Sequence, residues 1–359
     1  MSTEDAHSTT DDDTGQLVVR RHAAVVAVAH DPDTFSNNVS RHLHLPNGLD
    51  GEGHAAARRF IDPFFEPDEI ARLEPTFAAI AASLVGDLAD GGAVFDAVAD
   101  LGARFAVRAQ SAWLGWRSDL EGDLLAWVAA NRAATRSRDR ALSRKVAADF
   151  DAIIGSLIAE RQENPRDDVT MRLMTTPAEE GETLTDPEVV SILRNWTGGD
   201  LSSLALCAGV VVHWIATHPD HARHFVGASD ADLDAAIDEI LRADDPFVSN
   251  RRIATRDTTV DGCPVAAGDV IVIDWRAANR DPDVFGEPGA FDPEGNAESN
   301  VVYGTGVHVC PGRGLSTLEL RVLVRALLAA GRVELAGPAE REEAPVAGFR
   351  TVPVRLAAR

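Results

Sequence analysis

From about residue 20 to residue 245 apolar residues recur every three to four positions, which commits most of this chain to helices. "EPDEIARLEPTFAAIAASLVGDLAD", "AVFDAVADLGARFAVRAQSAWLGW" and "ALSRKVAADFDAIIGSLIAERQ" each carry one apolar face. "PEVVSILRNWTGGDLSSLALCAGVVVHWIATH" predicts an unusually long helix, interrupted by Gly198-Gly199. Thr185 or Asp186 can cap it, with Pro187 at its first position.

Near residue 252 the texture changes. "RIATRDTTVDGCPVAAGDVIVIDW" has β-branched runs broken at Asp261-Gly262 and Ala267-Gly268-Asp269, the pattern of a small antiparallel sheet. Residues 280–300 form a long Pro/Gly/Asp-rich loop, and loops of that length in a compact domain usually carry function. A helix follows Cys310 with Ser316, Leu320, Leu323 and Leu327 on one face, and short strands close the chain. The expected fold class is mainly α with a minor, segregated antiparallel β part. Residues 1–20 read as a disordered acidic tail, and 21–359 as a single domain without a linker.

A net charge of −23 argues against non-specific binding to nucleic acid or to an anionic membrane, since both need positive surface. It leaves room for a protein partner at a local basic patch. Cys207, Cys263 and Cys310 imply no disulfide framework and fit a reducing compartment. The N-terminus has no basic-then-apolar signal pattern, and "LALCAGVVVHWIA" is too short to span a bilayer. A cytoplasmic protein with no membrane and no nucleic-acid partner is expected.

The chemistry concentrates in "VVYGTGVHVCPGRGLSTLEL", residues 301–320. A thiol just before a helix feels the helix's positive end and its free N–H groups, and both favour thiolate. The surrounding glycines let backbone approach a flat or bulky ligand. Cys310 then reads as a buried structural cysteine, a metal ligand, or a nucleophile poised against His308. A zinc site would need more ligands, and no CxxC occurs.

Residues 303–312, "YGTGVHVCPG", resemble the haem-binding loop of the cytochrome P-450 superfamily, Phe-Gly-x-Gly-x-His/Arg-x-Cys-x-Gly. Tyr303 replaces the Phe, and further on Ser316 replaces the usual Ala. The resemblance implies a P-450 fold, shortened at the N-terminus, with Cys310 as axial ligand of haem b iron and Gly304 and Gly312 framing the loop. Upstream, Glu239 and Arg242 in "EILR" share a helix face; alone they read as a surface ion pair worth under about 1 kcal/mol. With "NRDPDVFGEPGAFDP" after them they resemble the family's ExxR helix and meander, which implies a buried charged cluster. The basic residue that often follows "FDP" is replaced here by Gly295-Asn296.

The same resemblance assigns His54, Arg58, Arg252 and His308 to the haem propionates, which need cationic donors when buried. On the distal side, Asp200 with Ser203, or Ser202 as the fallback, matches the acid and alcohol that help deliver protons. The other reading has Asp200 capping a helix break at Gly199. "RNWTGGDLSS" is similar to a bacterial subgroup with reductase fusions and aryl-ether demethylating members. Trp196, Gly199, Phe247 and Val248 are expected in the substrate pocket.

The function implied is a haem-thiolate monooxygenase. It would insert one oxygen atom from dioxygen into a small or medium organic substrate, by hydroxylation or oxidative O-demethylation. Electrons would come from NAD(P)H through separate proteins such as ferredoxin and ferredoxin reductase. Two other classes stand beside it: the same haem used for a peroxide-driven or non-oxygenating reaction, and a haem-binding protein without turnover.

Overall fold

The expected long helix is one unbroken element, Asp186–Thr217. The Thr185 backbone N–H and hydroxyl both donate to Glu188, which fixes its start. Gly198-Gly199 do not interrupt it, so Asp200 caps nothing and projects from mid-helix. At 32 residues the helix is long and apolar enough to cross a membrane, contrary to the expectation from its apolar stretch alone. That hydrophobicity has another use, because 61% of its most apolar window is buried inside the protein.

The computed structural model describes residues 8–11, 14–40, 43–178 and 181–358. Where the sequence offered no linker, the chain forms two compact units, each made of two segments: Met1–Asp62 with Asp238–Arg313, and Pro63–Ile237 with Gly314–Arg359.

The first unit is built on a five-stranded sheet. Its order is Thr9–Thr10, Leu17–Val19, Val270–Asp274, Ser249–Ala254 and Phe35–Ser36. All pairings are antiparallel except that of Val18-Val19 with Val272-Ile273. The alternation in "VIVID" buries Ile271 and Ile273 against Val19, Val25, Val28, Phe35 and Trp275. The expectation of a disordered 1–20 tail is corrected here: residues 9–10 and 17–19 are strands, and Val19 is fully buried. Its apolar run Leu17-Val18-Val19 supplies an inner strand, second in the sheet, that acidic composition alone concealed. Residues 1–7, 12 and 13 lie outside the described residues. The hairpin Thr258–Val260 and Cys263–Val265 turns at Asp261-Gly262, both left-handed (φ 50° and 79°), as a two-residue hairpin loop requires.

In the second unit the 186–217 helix is packed by Ala97–Ala103, Arg104–Leu114, Glu121–Ser137 and Arg140–Glu163. Small residues permit this approach: a Cβ on Gly209 would lie 2.6 Å from Val98 Cγ2, and one on Gly102 would lie 3.0 Å from the Ala205 carbonyl oxygen. Three strands, Phe95–Asp96, Pro353–Ala357 and Arg332–Leu335, and a hairpin of Glu340–Arg341 with Phe349–Thr351 complete it. The protein is mainly helical with small sheets, as its periodicity predicts.

Candidate active site

In the first unit the cysteine loop is shaped by its glycines. Gly304 and Gly306 are left-handed (φ 72° and 75°), whereas Gly312 is not. A Cβ on Gly306 would lie 2.3 Å from the Ala29 carbonyl oxygen, so only glycine fits. The Cys310 N–H donates to the Tyr303 carbonyl (3.0 Å) and closes the loop, leaving Cys310 exposed three residues before the helix Arg313–Ala330.

Residues far apart in sequence converge beside this loop. The His54 and His308 rings are 4.0 Å apart. Burial, reinforced by the neighbouring cation, lowers the His54 pKa; burial with His54 and Arg252 nearby brings His308 down to about 4. Both His308 ring nitrogens are buried without a hydrogen-bond partner; Asp50 Oδ1 lies 3.7 Å from Nε2. Arg252 is only 5% exposed, its hydrogen bond goes to the Arg251 carbonyl, and burial brings its pKa down to about 10. A buried guanidinium beside an imidazole whose ring nitrogens are unpartnered among the described residues fits an anionic group such as a pair of propionates.

Arg58 has a different engagement from the one expected. Its Nε donates to Asp62 (2.6 Å) and its Nη1 to the Val309 carbonyl (2.9 Å), so it ties the cysteine loop to the helix Gly51–Ile61. Among the described residues no cluster of three His, Cys, Asp or Glu could hold a metal. The residues present fit haem on these grounds. Arg252→Ala is expected to raise the rate of haem loss about 10- to 100-fold, the value of one charge-assisted bond of roughly 1.5–3 kcal/mol. The exposed Arg140→Ala is the control, and haem transfer to an acceptor globin is the measurement.

Glu239 and Arg242 are a buried pair, not a surface one: side-chain exposure is 2% and 0%. Arg242 Nε and Nη2 donate to the two Glu239 oxygens (2.7 and 2.8 Å), and Nη1 to the Asn279 carbonyl (2.7 Å). Nη2 also reaches the Pro288 and Ala290 carbonyls of the 280–300 loop. Asn296, at the position where a basic residue was missing, donates from Nδ2 to Glu239 Oε1 (2.7 Å). Its amide supplies the hydrogen bond without adding charge.

In the second unit Asp200 and Ser202 have different partners, and Ser203 has none among the described residues. Asp200 Oδ1 accepts from Ser316 Oγ (3.4 Å), and no hydrogen bond joins it to Ser203. Ser202 accepts from Asn131 Nδ2 (3.3 Å). The Ser203 hydroxyl has no hydrogen-bond partner among the described residues. Gly199 is exposed, and a Cβ there would meet open space.

The Trp196 ring stacks on Trp113 at 5.3 Å and packs on Phe64 and Phe65. Phe247 and Val248, in the first unit, are half-buried, with the Phe247 N–H donating to Asp245.

Sequence reasoning missed Glu319 and Gln110. Gln110 Nε2 donates to Glu319 Oε1 (3.4 Å), and burial pushes the Asp200 and Glu319 carboxyls well up, each interacting with the other. The available signal was an acid between Leu318 and Leu320 on an apolar helix.

Known proteins agree with this architecture. The cytochrome P450 family model matches residues 233–354. The erythromycin C-12 hydroxylase of Saccharopolyspora erythraea is 30% identical over 358 residues, covering 94% of this chain and 88% of that protein. The cyclomarin C epoxidase CymV of Salinispora arenicola is 29% identical, covering 92% and 88%. The open structure of cytochrome P450 EryK from S. erythraea superimposes with a TM-score of 0.87 at 28% identity, covering 99% of this chain and 93% of that one. With the cysteine loop, the buried ExxR pair and the relatedness along nearly its whole length, this chain belongs to the cytochrome P450 family and is a haem-dependent monooxygenase.

Proposed function

We propose that this enzyme inserts one oxygen atom from dioxygen into a C–H bond of a small or medium organic substrate, by hydroxylation or oxidative O-demethylation. Electrons come from NAD(P)H through a ferredoxin and its reductase or a similar pair, and the enzyme works in the cytoplasm. The observation that carries the reading is Cys310 on its glycine-shaped loop beside a buried Arg252 and a His308 whose ring nitrogens have no hydrogen-bond partner among the described residues. Relatives whose names record hydroxylation and epoxidation support the same reaction class.

Bound haem supplies dioxygen activation, which its thiolate ligand promotes. The residues do the rest. Cys310 Sγ would hold the iron. Arg252, His308 and His54 would meet the propionates, while Arg58 fixes the loop that presents the sulfur. Gly199 leaves space along the 186–217 helix. The Ser203 hydroxyl, without a hydrogen-bond partner among the described residues, would be the proton donor on the distal side, and Asp200 one turn earlier would resupply it. Ser202 accepts from Asn131 and lies about 100° round the helix from Ser203, so it is the second choice for this role.

A compound screen that follows the haem spin-state shift identifies the substrate. With that substrate and surrogate redox partners, Ser203→Ala is expected to leave binding intact but to lower product per NAD(P)H, with the balance lost as hydrogen peroxide. Asp200→Asn slows turnover by about 100-fold. Ser202→Ala changes coupling little. If Ser202→Ala uncouples and Ser203→Ala does not, the alcohol has been misassigned. Full turnover on hydrogen peroxide with none on NAD(P)H and redox partners would overturn the electron route.

A further inference from the structure

We propose that Arg132 binds the carboxylate of an organic-acid substrate, gripping both oxygens with the edge formed by its Nε and Nη2. The proposal rests on the monooxygenase reading and names a substrate class for it. Every residue involved lies in the second unit. Arg132 and Arg136 are one turn apart on the helix Glu121–Ser137. Against them stands the hairpin of Glu340–Arg341 with Phe349–Thr351, where Glu342 follows the first arm and Arg350 lies in the second. Asn131, beside Arg132, donates to Ser202, so this turn of the helix reaches the stretch of the 186–217 helix that carries Ser203.

Arg132 Nε and Nη2 are buried with no hydrogen-bond partner among the described residues. Those are the same two atoms with which Arg242 spans both oxygens of Glu239. One buried arginine of this chain therefore has its carboxylate-binding edge filled by an acid of the protein, and another does not. The acids near Arg132 are engaged elsewhere. Glu342, whose side chain is 1% exposed, accepts from Arg136 Nη1 through Oε1 (2.8 Å). Its Oε2 makes no hydrogen bond and is turned to Arg350, with Nε 3.8 Å away. The Asp96 oxygens accept from the backbone N–H groups of Val98, Ala99 and Val352. Three guanidiniums thus share two acids that already have donors, in a chain whose net charge is −23.

Burial lowers the Arg132 pKa, with Glu342 and Asp96 acting against that and Arg136 adding to it. A guanidinium still stays charged at neutral pH, so its unpaired edge weakens the fold. A residue kept at a cost to stability is what a binding site requires. The shape of the edge selects the ligand. Two parallel N–H groups match the two oxygens of a planar carboxylate and add charge to the bond. The matching amide or alcohol offers one neutral acceptor oxygen and leaves the second N–H unpaired. Arg132 as a whole is half-buried, so the edge lies close beneath the surface and an acid can reach it.

Thermal unfolding and spin-state titration of the haem-loaded enzyme test this together. The probes are benzoate, phenylbutyrate and dodecanoate, each beside its primary amide, and inorganic phosphate, with ionic strength held constant by chloride. Without any probe, Arg132→Met is expected to melt no lower than the wild type, because it removes an unpaired buried charge. At least one acid is expected to raise the wild-type melting temperature and to shift the spin state with an affinity about 10- to 100-fold above that of its amide. In Arg132→Met that acid and its amide are expected to bind within about twofold of each other. Arg132→Lys keeps the charge without the edge and falls between. The exposed Arg140→Ala behaves as the wild type. No acid preference in the wild type for any of the three, or a preference that survives in Arg132→Met, overturns the proposal. A lower melting temperature for Arg132→Met, or its failure to fold, makes the arginine structural and overturns it too. Protection by phosphate as strong as by the acids, and lost in Arg132→Met, would leave a free-anion site and no substrate anchor. Failure of the monooxygenase reading shows separately, as a wild type without the thiolate signature or without NAD(P)H-driven product, and the melting comparison stands apart from both.

Discussion

Cys310→Ser is expected to give a folded protein whose reduced carbon monoxide complex lacks the thiolate signature altogether, and which retains little haem. The loop does not depend on the sulfur for its shape. Its turn is set by left-handed Gly304 and Gly306, by the Cys310 N–H bond to Tyr303, and by Arg58 gripping the Val309 carbonyl. All of these survive replacement of Sγ by Oγ. A serine hydroxyl is a far poorer soft ligand and stays protonated at neutral pH, so the site loses its charge as well as its bond. Haem content, far-ultraviolet circular dichroism and the carbon monoxide difference spectrum are the measurements. Persistence of the thiolate signature would make Cys207 or Cys263 the ligand. Cys207 is buried on the 186–217 helix and Cys263 sits in a hairpin, so the geometry speaks for Cys310.

What could be read before folding depended on how local each feature is. The cysteine loop is one continuous stretch whose glycines and thiol are adjacent, so its pattern survives in the sequence intact. The long helix was legible from its period and from Thr185, Pro187 and Glu188 at its start. Its continuity through Gly198-Gly199 was not, because the packed neighbours that override two weak helix formers lie elsewhere in the chain. The carboxyl pair was invisible for the same reason. Gln110, Asp200, Ser316 and Glu319 come from three helices spanning more than two hundred positions. Asn296 shows the converse: the sequence marked a missing basic residue, and only the structure shows an amide making the bond to Glu239 in its place. The aromatic packing of Trp196 with Trp113, Phe64 and Phe65 was not legible either, because those rings come from separate segments.

Arg242→Ala is expected to destabilise the protein by about 3–5 kcal/mol, which is the range for breaking a fully buried ion pair by removing one partner. The magnitude follows from what is left behind. Glu239 would stay 2% exposed with its charge uncompensated, holding only Asp292 N–H and Asn296 Nδ2 as donors. The Asn279, Pro288 and Ala290 carbonyls would lose their common donor, so the 280–300 loop would come loose from the helix Asp230–Ala243. The guanidinium also lies 4.6 Å from the centroid of the Phe285 ring, a contact that alanine abolishes. Lysine keeps the charge but cannot present the Nε and Nη2 edge that spans both Glu239 oxygens, nor reach three carbonyls at once. Arg242→Lys should therefore fall between the two. Glu239→Gln with Arg242 intact should also destabilise, because it leaves a buried guanidinium without its counter-charge. Urea unfolding of the haem-loaded proteins, followed by circular dichroism and by haem absorbance, measures all three. A loss below about 1 kcal/mol for Arg242→Ala would place the pair among exposed ion pairs, where such values are normal, and would contradict its burial.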